Sequence, residues 1–189
     1  PINYYTNEII NGTLVGNLIG LSGSLFIIFK IGKHNLGSIW FSKRKLIIAI
    51  LLIISIWIIS QIFIIAFSYY TTREIIFIQH FNVIAGNIIG QFFGNSLLEE
   101  MIFRGILLIQ LYLVFIAKYS NKMTIIFSLA ASAVIFVLSH IPNRILTYTP
   151  DNLVIDTVSL LFGSTLLGII FLKTKNLPFV IGFHSLVND

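Results

Sequence analysis

The chain has no cysteine. Disulfides and thiolate metal sites are therefore excluded, and the redox compartment stays undecided. Charge is almost as scarce. Only 10% of the 189 residues are Asp, Glu, Lys or Arg, against roughly a quarter in a soluble domain. So little charge cannot cover a globule with polar surface. Strand patterning is missing as well, because the apolar runs are long and continuous rather than alternating. No internal repeat, low-complexity linker or cleavable signal peptide is evident. The net charge of +5 is not a nucleic-acid signal. The basic residues are few and lie between apolar runs, where membrane orientation accounts for them.

What the chain does have is hydrocarbon: 57% hydrophobic residues and a mean hydropathy of +0.95. This composition reads as an all-α, polytopic integral membrane helix bundle. A spanning helix needs roughly 20 apolar residues, which gives about six to seven helical segments in one structural domain. Residues 9–29, which end at Lys30, and residues 46–69 and 75–98 are uncharged, and the third run is dotted with amides. Residues 97–117 carry charges at their start, 123–140 end on His140, and 152–172 contain one charge, Asp156. A further helix begins after Pro178. The chain opens on Pro1 and stops at Asp189 inside an apolar stretch, so it reads as a fragment. Nine Lys and Arg residues, at 30, 33, 43–45, 118, 122, 173 and 175, fall on one side if residues 75–96 do not cross. That segment is then interfacial or re-entrant. Arg73 and Arg144 stand opposite.

The charges that need explaining are in NSLLEEMIFRG, residues 95–105. Glu100 and Arg104 are four apart with the acid first, the favourable order for a helical ion pair. Glu99 points about 100° away and is the better candidate for chemistry. Two plainer readings compete. Ser96-Leu97-Leu98-Glu99 fits a capping box, and all three charges can snorkel to the membrane surface.

Two of the four histidines lie in apolar helices downstream. Phe136 and His140 are four apart, so the rings can pack. His184 and Asn188 repeat the spacing on the last helix, where interhelical hydrogen bonding is the ordinary explanation. A short turn between 97–117 and 123–140 makes those helices antiparallel and places Glu99 and His140 at one depth. A carboxylate and imidazoles converging in a low-dielectric bundle make an acid/base centre. Neither His34 nor His80 is assigned to this centre.

Glu99-Glu100-x-x-x-Arg104, Phe136-x-x-x-His140 and His184-x-x-x-Asn188, in this order, resemble the motifs of the CAAX prenyl protease and bacteriocin-processing family, also called CPBP or Abi. The resemblance covers residues 90–189. Residues 1–89 match only as membrane helices without motifs. It implies an intramembrane glutamate endopeptidase in which Glu99 activates the attacking water and His140 assists. By the same resemblance, His184 and Asn188 stabilise the oxyanion, while Glu100 and Arg104 hold the site in shape. It implies no cofactor. Zinc held by Glu99, His140 and His184 is the alternative, although the H-E-x-x-H helix of zinc proteases is absent.

The partners expected are a peptide or membrane-protein substrate and the lipid bilayer, with no nucleic acid. Richness in Ile, Asn and Lys points to an AT-rich bacterial genome and a bacterial cytoplasmic membrane. Bacteriocin maturation, self-immunity and peptide signalling are then the functions in view, and a prenylated substrate is not expected. A non-catalytic membrane protein that binds a sensor or receptor is the competing class. A small transporter is weaker, because outside the motif helix Asp156 is the one acid in a clear apolar span.

Overall fold

The computed structural model describes Ser22, Gly23, Phe26 and residues 42–73, 91–147 and 149–187. Most of the expected first span, most of the expected re-entrant segment, His34, His80 and Asn188 lie outside the described residues. Every regular element among those described is helical. Helix α1 is Lys43–Thr72. A π-helical turn π1, Gln91–Ser96, is followed by α2, Leu97–Glu100, a second π-helical stretch π2, Met101–Leu107, and α3, Leu108–Ile116. Then come α4, Asn121–Thr147, α5, Pro150–Thr174, and α6, Leu177–Val187.

Three of these, Lys43–Thr72, Asn121–Leu146 and Pro150–Thr174, are long and apolar enough to cross a membrane. The chain is an integral membrane protein. In α1 only Ala49 is buried, and Ile, Leu and Phe side chains stand exposed along its length. Exposed apolar side chains would be a fault in water. In lipid they are the expected outer face.

The chain divides into two compact units, Pro1–Leu98 with Asn176–Asp189, and Glu99–Lys175. In the first, α6 packs on α1 and on π1. Asn176 organises this packing with one side chain. Its Oδ1 accepts from the Phe179 backbone N–H at 3.2 Å, a helix N-cap, while its Nδ2 donates to the Lys45 carbonyl at 3.0 Å. Ser42 caps α1 in the same way, accepting from Lys45 N–H at 3.3 Å. Gly182 then lets α6 lie against α1. A Cβ there would overlap the Ile53 side chain, coming within 2.9 Å of its Cγ1.

In the second unit α3, α4 and α5 pack in chain order, and π2 rests on α4. A Cβ at Gly168 of α5 would stand 2.7 Å from the Leu129 side chain of α4. Close approach through small residues is how helices associate in lipid, where apolar burial alone gives no preference for protein over solvent.

Two boundaries differ from those read in the sequence. Helix α4 does not end at His140 but runs on to Thr147 through Pro142. Pro142 has no N–H to offer the Leu138 carbonyl, and neighbouring groups in a membrane bundle absorb that loss. The motif helix does not start at Leu97 either, because π1 already precedes it.

Gly182→Leu should separate α6 from α1 and destabilise the protein by about 1–3 kcal/mol. Thermal unfolding in detergent reads this as a lower Tm, with partial recovery in Gly182→Leu/Ile53→Ala. An unchanged Tm in the single variant would show that the contact is loose.

Candidate active site

The centre of the second unit is polar. Arg104 Nη1 lies 2.9 Å from Glu100 Oε1, and both side chains are buried. They therefore do not snorkel. Arg104 Nη2 donates to the Ser164 carbonyl and to Ser164 Oγ, each at 3.1 Å. The guanidinium also lies over the Phe136 ring, 4.9 Å from its centroid. One cation thus joins α2, π2, α4 and α5. The π-helical stretch is part of the arrangement. Leu108 N–H reaches back five residues to the Phe103 carbonyl, which also accepts from Ser132 Oγ of α4 at 3.4 Å. Such widened turns occur often at functional sites.

Phe136 carries the next layer. It meets Phe103 edge-on at 4.8 Å and His140 at 4.4 Å between centroids. Its carbonyl lies 2.9 Å from His140 Nδ1 and accepts from Ser139 Oγ at 2.7 Å. A carbonyl can only accept, so Nδ1 donates to it, which turns Nε2 away from the Phe136 carbonyl. That Nε2 faces Glu99 Oε1 at 3.6 Å, and both side chains are 22% exposed. The separation is too long for a hydrogen bond. A carboxylate oxygen and an imidazole nitrogen at this distance, both partly open to their surroundings, can share a water between them.

The sequence carries a signal for this layout that motif spacing alone does not reveal. Thr124, Ser128, Ser132, Phe136, His140 and Arg144 recur every four residues along α4. The first four are buried, with hydroxyls bonded to backbone carbonyls at Tyr119, Thr124 and Phe103. His140 and Arg144 are partly exposed. The ridge therefore emerges from the packed interior at the Glu99–His140 pair.

Of the expected site residues, Glu99, Glu100, Arg104, Phe136 and His140 come together in this unit. His184 lies on α6 in the other unit, buried beside the equally buried Ser185 in sequence. Asn188 lies outside the described residues. The capping box does not form, since Ser96 sits inside π1 and has no N-terminal helix end to close. Ser164 was not foreseen. Its trace in the sequence is the small polar run Gly163-Ser164-Thr165 inside an otherwise apolar span. A catalytic zinc takes three protein ligands. Among the described residues, no three His, Cys, Asp or Glu side chains gather to hold a metal.

The second unit is thus a membrane-embedded helical unit with a carboxylate–imidazole pair on a buried ion-pair scaffold. Residues 81–188 match the family described as type II CAAX prenyl endopeptidase, Rce1-like. The match spans more than half of the chain, and the protein belongs to this family of proteases. No curated protein and no solved structure matches it.

Glu100→Ala and Arg104→Ala should each lower protein level and thermal stability by about 3–5 kcal/mol, because each strands a buried charge. Replacing both with apolar residues of similar size should be less damaging than either single change. Equal or greater loss in the double variant, measured by melting in detergent, would show that the ion pair itself supplies stability.

Proposed function

We propose that this chain is an intramembrane endopeptidase that hydrolyses a peptide bond in a peptide or membrane-protein substrate at the bilayer. The observation that carries the reading is the facing carboxylate and imidazole, Glu99 Oε1 and His140 Nε2 at 3.6 Å. Glu99 is the general base. As the water oxygen adds to the scissile carbonyl carbon, one of its protons passes to Glu99. The other stays oriented by His140. The tetrahedral oxyanion collapses when Glu99 returns its proton to the amide nitrogen and the C–N bond breaks, leaving a carboxylic acid and an amine, and the second water proton then passes from acid to amine to give carboxylate and ammonium. His184 and Asn188 are assigned to the oxyanion on the strength of the motif resemblance, since neutral donors stabilise that charge without adding one of their own. Phe136 and its carbonyl fix the orientation and tautomer of His140, and Glu100 with Arg104 fixes Phe136.

The reading routes no step through a metal. Loss of activity in a chelator, reversed by zinc, would move water activation from Glu99 to a zinc site at Glu99, His140 and His184. The composition favours a bacterial setting, with a substrate drawn from bacteriocin maturation, self-immunity or peptide signalling.

Glu99→Gln and His140→Ala should abolish cleavage while the protein accumulates normally. The check is mass spectrometry of membrane and secreted peptides from cells carrying each variant, with protein level followed by blot. A product that vanishes in both variants also names the substrate. Peptide profiles that match the parent at equal protein level would defeat the catalytic assignment.

A further inference from the structure

Ser139 is an exposed residue immediately before His140 on α4, and the proposed chemistry gives it no part. Its hydroxyl donates to the Phe136 carbonyl at 2.7 Å. That alone is the ordinary habit of a helical serine, and Ser60 does the same with the Trp57 carbonyl, also at 2.7 Å. A second contact sets Ser139 apart. Its Oγ lies 3.2 Å from His140 Nδ1. Consecutive helical residues do not ordinarily face each other. This pair meets because the imidazole folds back along its own helix, where it lies against the Phe136 ring.

Counting protons fixes the direction of the contact. A serine hydroxyl has one hydrogen, and the Phe136 carbonyl takes it. Only lone pairs of Ser139 Oγ are left to meet the imidazole, so Nδ1–H is the donor. Nδ1 thus shares one hydrogen between two acceptors, the carbonyl at 2.9 Å and the hydroxyl at 3.2 Å. The sharing matters because the carbonyl is crowded. Within α4 it also accepts the His140 backbone N–H, four residues on. Three donors then converge on an oxygen with two lone pairs, and Ser139 supplies the further acceptor. With Nδ1–H held from two sides, the imidazole exchanges protons only through Nε2, the nitrogen that faces Glu99.

We propose that Ser139 is a positioning residue for the His140 imidazole: its hydroxyl pins Nδ1–H and so reserves Nε2 for the reaction. The proposal rests on the reading of His140 as part of a peptidase site. It assigns Ser139 no contact with substrate.

The test uses the full chain with the variants Ser139→Ala and Ser139→Thr. Threonine keeps the hydroxyl, and the exposure of position 139 leaves room for its methyl group. The first readout is the rate at which new C-termini appear among native membrane peptides, followed by mass spectrometry. Ser139→Ala should lower that rate about three- to tenfold at normal protein level, the worth of one neutral hydrogen bond, and Ser139→Thr should restore most of it. The second readout does not depend on turnover. It is the pair of 15N ring signals of His140 in detergent, assigned with His140→Ala, at a pH high enough to keep the ring neutral. In the parent and in Ser139→Thr the proton should sit on Nδ1. In Ser139→Ala part of the population should carry it on Nε2 instead. A serine that only ties its own helical turn predicts the same tautomer in all three proteins. A rate or a tautomer that Ser139→Ala leaves unchanged, or a loss that threonine does not repair, would overturn the proposal. If the parent shows no Glu99-dependent cleavage, the peptidase reading fails by itself. The 15N signals then decide whether Ser139 pins Nδ1–H: a shifted tautomer that threonine restores sustains it, and an unshifted one overturns it.

Discussion

One buried ion pair orders the second unit of this protein. Arg104 is held by Glu100, bonded to Ser164 through both backbone and hydroxyl, and laid over the face of Phe136. A charge in lipid is costly unless it is paired close at hand. That demand makes the guanidinium a junction between helices that apolar contacts alone would leave free to slide. Phe136 is fixed by the junction on one face and by Phe103 at its edge, and it positions His140 through both ring and carbonyl. The Glu99–His140 pair thus inherits its geometry from the residues packed behind it.

The surroundings follow from the same solvent logic. Helix α1 shows its apolar side chains outward, because lipid offers no reason to hide them. Specificity of packing comes instead from close approach at Gly168 and Gly182 and from the hydroxyl ridge of α4. Hydroxyls on that ridge bond to backbone carbonyls, so they bring polarity into the interior without leaving unmet donors. Glu100 pairs with Arg104 and Asp156 with Arg144, while Glu99 faces the His140 imidazole.

Much of this was legible in the residues themselves. Composition and the absence of strand alternation together pointed to a helical membrane protein, since only helices and closed barrels satisfy a backbone in hydrocarbon. The spacing of Glu100 and Arg104 marked them as partners, and the short turn before α4 placed Glu99 beside His140. Three features were hidden for identifiable reasons. The π-helical stretches depend on how carbonyls are shared with neighbouring helices, as at Phe103, and residue periodicity does not report that. Ser164 acts through its backbone carbonyl as much as its hydroxyl, and a carbonyl has no residue signature. The end of α4 was placed too early because Pro142 normally closes a helix, whereas a bundle in lipid can carry it. The apparent capping box at Ser96 failed for the converse reason: a local pattern was matched, but the helix had already begun.

The account turns on a single event, transfer of a water proton to Glu99. The most direct measurement follows the water oxygen. Membranes containing the parent protein or Glu99→Gln would be incubated with their native peptides in 18O-labelled water, and new C-termini read by mass spectrometry. The account predicts one 18O atom in each new carboxylate made by the parent and no new termini with Glu99→Gln. Labelled termini that form equally well without the Glu99 carboxylate would contradict it.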